Sequence, residues 1–132
     1  MSANNLNRNP VHLGLGGTAV VLPDFDGTGE WYMNYGMQTA SDYVDGRLVS
    51  WHSFDGAWDV WEVHPFGSEI VVCTGGTLEL VQRIDDEEVI TVLQPGEYAI
   101  NEPGVWHSAN DSGPCSAVFI TAGKETENHP RG

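Results

Sequence analysis

Two stretches carry the reading of this chain: Gly56–Gly76, GAWDVWEVHPFGSEIVVCTGG, and Gly96–Asn110, GEYAINEPGVWHSAN. The first holds Gly56, Glu62, His64, Glu69 and Gly76. The second holds Gly96, Glu102-Pro103-Gly104, His107 and Asn110. In an extended strand, residues two apart share a face, so Glu62 and His64 project the same way, together with Trp58 and Val60. Glu69 follows across the turn Pro65-Phe66-Gly67, and His107 lies just past the Pro103-Gly104 turn. If the sheet closes, three strands can aim these four side chains at one interior point. Burying two carboxylates there is costly unless a cation neutralises them, and a divalent ion does so. Two other readings stay open on spacing alone. Glu62 and His64 could form a solvated outer face with Trp61 and Val63 turned inward. Alternatively, His64 and His107 could be satisfied core histidines with no metal.

Outward from these stretches the chain reads as short strands: Arg47–Phe54, Trp58–His64, Ser68–Thr74, Thr77–Arg83, Glu88–Leu93, Tyr98–Ile100, Trp106–Ser108 and Ser116–Thr121. Turn chemistry falls between them. Gly75-Gly76 suits a tight hairpin. Asp85-Asp86 makes a charged turn, and Pro95-Gly96 and Pro103-Gly104 suit type II turns. Many short strands at regular spacing indicate an all-β sandwich or barrel. Before residue 46, Ala19-Val20-Val21-Leu22 reads as one short strand closed by Pro23. Residues 24–45 are rich in turn formers, and Glu30-Trp31-Tyr32-Met33 begins either a short helix or an extended arm. The organisation expected is an N-terminal arm over residues 1–45, a barrel over 46–123 and a polar, mobile tail over 124–132.

At 132 residues the chain is one domain's length, with 16 glycines, 7 prolines, 40% hydrophobic and 18% charged residues. That is a globular, turn-rich composition. A net charge of -14, from 5 basic against 19 acidic residues, argues against nucleic acid and against an acidic membrane surface. Cys73 and Cys115 are too few for a disulfide framework and read as buried thiols in a reducing cytoplasm. The polar start and the lack of a long apolar run fit a soluble, cytoplasmic chain.

The segment over residues 47–121 resembles the cupin family. Its first motif, G-x5-H-x-H-x4-E-x6-G, finds Gly56, His64, Glu69 and Gly76 in register, with Glu62 in place of the first histidine. Its second, G-x5-P-x-G-x2-H-x3-N, finds Gly96, Gly104 and His107, with Pro103 displaced by one position and Asn110 one residue early. The resemblance implies a small jelly-roll β-barrel. It carries His64, Glu69 and His107 over as metal ligands, and Glu62 by position. Nitrogen and oxygen donors without thiolate suit Mn, Fe, Co, Ni or Zn. Replacing one neutral imidazole by a carboxylate brings a divalent site to neutrality. Trp58 and Tyr98 are the expected walls of a substrate pocket.

The resemblance further implies a small-molecule ligand or substrate, with isomerase, lyase or oxygenase chemistry at the ion. The alternative is a non-catalytic ligand-binding or sensor module using the same pocket, with or without metal. A homodimer is expected by resemblance, with residues 11–45 as the dimer element.

Overall fold

The computed structural model describes residues 2–42 and 44–132. Met1 and Tyr43, both within the expected arm, lie outside the described residues. Among the described residues, eleven strands and one α-helix follow in chain order: β1 (Val11–Leu13), β2 (Ala19–Val21), α1 (Gly29–Gln38), β3 (Arg47–Phe54), β4 (Val60–Val63), β5 (Glu69–Gly76), β6 (Leu78–Ile84), β7 (Glu87–Leu93), β8 (Tyr98–Asn101), β9 (His107–Asn110), β10 (Cys115–Thr121) and β11 (Glu127–Pro130). They form two antiparallel sheets, ordered β2-β1-β3-β10-β5-β8 and β11-β4-β9-β6-β7. The all-β expectation holds, and the faces of the two sheets enclose the core.

Strict alternation builds that core. In β10, Cys115, Ala117, Phe119 and Thr121 turn inward, and in β5, Glu69, Val71 and Cys73 do so. Leu78, Leu80 and Leu93 from the second sheet close the cluster. Each such aliphatic side chain contributes about 1.5–3 kcal/mol by leaving water. Cys73 and Cys115 are buried and unbridged. The Asp85-Asp86 turn joins β6 to β7 with both residues at positive φ (53° and 65°), the twist that a two-residue hairpin needs. Pro95-Gly96 and Pro103-Gly104 are type II turns: Glu97 N–H bonds the Gln94 carbonyl at 2.9 Å and Val105 N–H the Glu102 carbonyl at 3.1 Å.

Two expectations need correction, and one open alternative resolves. Gly75-Gly76 is not a hairpin, because β5 and β6 belong to different sheets. The chain crosses between sheets there, and Gly76 (φ 65°) passes so close to Pro114 that a Cβ would lie 2.2 Å from its carbonyl oxygen. Residues 24–45 contain a helix, α1, capped by the Thr28 hydroxyl on Trp31 N–H. Trp31 packs it onto Leu22 and Leu48. The polar tail is also ordered over residues 127–130. These form β11 along β4, pairing Glu127 with Val63 through Pro130 with Val60. Without it β4 would present an open edge. Arg131 fastens the end, its guanidinium donating to Ala109 O at 2.9 Å and Asn110 Oδ1 at 2.7 Å.

Register then positions the site. A row across the first sheet runs His12, Leu48, Thr121, Glu69, Asn101 in directly paired positions. In the second sheet Glu62 of β4 pairs with His107 of β9.

Candidate metal centre

The four side chains singled out by spacing converge. His64 Nε2 lies 3.0 Å from Glu62 Oε1 and 3.1 Å from Glu69 Oε2. His107 Nε2 lies 3.5 Å from Glu62 Oε1 and 3.3 Å from Glu69 Oε1. One donor atom from each residue falls within 4.8 Å of all the others. The outer-face alternative for Glu62 and His64 is thereby excluded, and Trp61 and Val63 take the opposite side of β4.

Despite these short separations, neither Nε2 makes a hydrogen bond of acceptable geometry, although both are buried. Such orphaned polar atoms are costly and call for a partner. The other ring nitrogens show which partner. Thr126 Oγ1 stands 2.8 Å from His64 Nδ1 and gives its own hydrogen to the Gly123 carbonyl, so it accepts from Nδ1–H. His107 Nδ1 stands 3.3 Å from the Val105 carbonyl, which can only accept. Both Nδ1 atoms therefore carry a proton, and in the neutral rings both Nε2 atoms present lone pairs toward two carboxylates. That donor set fits a divalent cation, whose bonds to nitrogen and oxygen run about 2.0–2.2 Å.

The carboxylates are held as well. Glu69, 2% exposed, accepts from Asn101 Nδ2 at 3.0 Å and Thr121 Oγ1 at 2.6 Å. Gln82 in turn donates to Asn101 Oδ1 at 2.7 Å. Burial alone would raise the Glu69 pKa, but His107 and His64 outweigh it and hold the group well below the ordinary carboxylate range. Glu62 is shifted down by the same balance. Burial pushes His64 and His107 down, yet the Glu62 and Glu69 carboxylates win and raise both to about 9. The cluster thus has a strong appetite for positive charge, which protons or a metal can meet.

The centre opens into a cleft of about 1320 Å³ whose lining includes Tyr32 and Met33 of α1, His52 of β3, Trp58 and Phe119. Trp58 lines this cleft, its ring 6.5 Å from that of His107. Tyr98 does not. It is 63% exposed and absent from the cleft lining. Its neighbour Ala99 packs on the core, so strand parity turns Tyr98 outward.

Sequence reading missed several contributors. Asn101, Thr121 and Gln82 orient Glu69, and Thr126 orients His64. His52 lines the cleft, and burial pushes its pKa below the ordinary value against the opposing pull of Glu62 and Glu69. Farther along the cleft, His12 Nδ1 is 2.7 Å from the Tyr35 hydroxyl, while its Nε2 bonds the Asp42 carboxylate.

No family model and no curated protein matches the chain. Solved structures do resemble it. A protein with a double-stranded β-helix domain from Klebsiella pneumoniae is 24% identical, over 64% of this chain and 73% of that one, with a TM-score of 0.52. Oxalate oxidase is 16% identical, over 61% of this chain and 44% of that one, at 0.51. A cupin-2 domain protein from Shewanella frigidimarina is 24% identical, over 57% and 69%, at 0.48. The two likenesses with TM-scores above 0.5 establish the fold, a double-stranded β-helix. Among the described residues no helix is long and apolar enough to cross a membrane.

Proposed function

We propose that this chain is a cupin-like, metal-dependent protein acting on a small molecule, with Glu62, His64, Glu69 and His107 holding one divalent ion. The observation that carries the reading is the pair of buried Nε2 atoms without hydrogen bonds, set between two carboxylates. Depending on its identity among Mn, Fe, Co, Ni and Zn, the ion supplies either Lewis-acid polarisation for isomerase or lyase chemistry or redox capacity for oxygenation.

The chain's own residues do the rest. Two carboxylates and two neutral imidazoles cancel the ion's charge, so the centre attracts an anion less than a three-histidine shell would. Trp58, Phe119 and Tyr32 wall the cleft and exclude water from a flat or apolar substrate. His52, shifted toward the neutral imidazole, is a cleft side chain outside the ligand set able to take up and return a proton.

The protein is further proposed to be a cytoplasmic homodimer. Edge strand β2 supports this, since Val20 and Val21 are exposed at 48% and 52%. Light scattering on a chain starting near Gly46 should show a lost subunit contact; an unchanged subunit count rejects residues 11–45 as the dimer element.

Elemental analysis of protein purified without added metal tests the main reading, with about one equivalent of a transition ion expected. Glu62→Ala should weaken that binding and Glu62→His should retain it. An alanine variant with unchanged affinity removes Glu62 from the shell.

A further inference from the structure

The strand pair that carries Glu62 and His107 inward carries a second pocket outward. It encloses about 390 Å³ and is lined by Trp61, Arg83, Trp106, His129, Pro130 and Arg131. Alternation explains the placement. Trp61 and Trp106 are the chain neighbours of the register partners Glu62 and His107, so they take the other face of the sheet.

Two guanidiniums cover Trp61, that of Arg83 at 4.1 Å and that of Arg131 at 5.0 Å from its ring centroid. Their circumstances differ. Arg131 is engaged in fastening strands: it donates to Ala109 O, Ser108 Oγ and Asn110 Oδ1. Asn110 in turn donates to Glu79 at 2.7 Å, which brings a negative charge toward that end. Arg83 has the stacking contact but, among the described residues, neither a carboxylate within ion-pair range nor a side-chain hydrogen-bond acceptor. In a chain of net charge -14 that is unexpected; Arg8, by comparison, pairs with Asp24 at 3.1 Å.

A guanidinium laid on an indole is already ordered, so its planar fork of N–H groups loses little freedom on engaging a ligand. The group that matches the fork is a carboxylate, held by two parallel hydrogen bonds. Beside it stands an aromatic wall, Trp106 against His129 with ring centroids 4.7 Å apart. The Trp106 carbonyl accepts the Arg83 backbone N–H at 2.9 Å, which fixes wall and cation together. We propose that this outer pocket binds a small carboxylate with a flat, conjugated or aromatic body, the carboxylate on Arg83 and the ring against Trp106 and His129. The proposal does not depend on the metal reading, since the two sites occupy opposite faces of the sheet.

Titration of the isotope-labelled chain with benzoate, benzamide and inorganic phosphate, read at the tryptophan indole N–H signals, tests it. Benzoate should move the Trp61 and Trp106 signals and saturate at about 1–10 mM. Benzamide, with the ring but no charge, should not saturate, and phosphate, with charge but no ring, should bind more weakly than benzoate. Arg83→Gln should weaken benzoate roughly tenfold or more, and Arg83→Lys should weaken it too because the fork is lost. Benzoate that does not saturate, benzamide or phosphate binding as tightly as benzoate, or an Arg83→Gln chain binding as the native one does would each overturn the proposal. Should Arg83→Gln fail to fold, the benzoate and benzamide comparison on the native chain decides alone.

Discussion

His64 and His107 on one side, and His12 on the other, use the same ring in opposite ways. At the candidate metal centre Nδ1–H is given to a threonine hydroxyl or a backbone carbonyl, and the Nε2 atoms face two carboxylates with no hydrogen bond. Along the cleft, Asp42 takes the Nε2–H of His12, so His12 Nδ1 accepts the Tyr35 O–H. Both of its nitrogens are satisfied. Burial pushes the Tyr35 phenol up to about 12, with the Asp42 charge adding and a Thr39 bond opposing, so it stays a donor. One cluster is closed by its own hydrogen bonds and ties α1 to β1. The other remains chemically unfinished without a cation. Burial and carboxylate neighbours are common to both, so neither distinguishes a ligand from a structural histidine. What distinguishes them is where the second nitrogen's proton goes.

The strongest way to break this contrast is substitution of one histidine from each cluster. His107→Ala should lower metal affinity by more than the roughly 100-fold that losing an outer partner can cost. His12→Ala should leave metal stoichiometry unchanged and lower stability by about 1–3 kcal/mol as Asp42 and Tyr35 lose their partner. Metal analysis together with denaturant unfolding checks both, and a metal-free His12→Ala protein would erase the contrast.

Acidity gives the next effect. His64 and His107 stand at about 9 against an ordinary 6.5. In the metal-free chain their contribution to stability is complete below about pH 6.5 and is lost as pH rises through about 9. Glu62 and Glu69 lie below their ordinary 4.5. Their contribution is complete above about pH 4.5 and is lost on acidification. The metal-free chain should therefore be most stable between about pH 4.5 and 6.5. Metal binding needs the bare nitrogens and should strengthen up to about pH 9. Melting temperatures with and without added Zn(II) should diverge between about pH 6.5 and 9; parallel curves would contradict the assignment.

Smaller effects refine it. Thr126→Val removes the acceptor that fixes the His64 tautomer and should cost roughly 10–100-fold in metal affinity, measured by competition with a chelator. Tyr35→Phe should cost only about 0.5–1.5 kcal/mol of stability and nothing in metal affinity.

The centre was legible because part of it is local and the rest follows a spaced motif. Strand alternation sets the common face of Glu62 and His64, while Glu69, from the opposite sheet, and His107, 38 positions farther on, were placed by the motif's spacing. The supports were not legible, because they arrive from far away. Thr126 reaches His64 across 62 positions and Asp42 reaches His12 across 30. β11 has no apolar alternation to announce it, since all four residues are exposed, and it exists because β4 offers a partner edge. Gly75-Gly76 misled because the same residue type serves a hairpin and a close backbone approach. Tyr98 misled because nothing in the local text says that Ala99 takes the interior side.

β11 has a practical consequence. The segment that looks dispensable supplies Thr126 behind the His64 imidazole and Arg131 behind the strands of Glu62 and His107. An affinity tag fused close behind Gly132, or trimming at Gly123, would reach the centre through its scaffolding. Purification handles belong at the opposite terminus, where residues 2–5 are exposed.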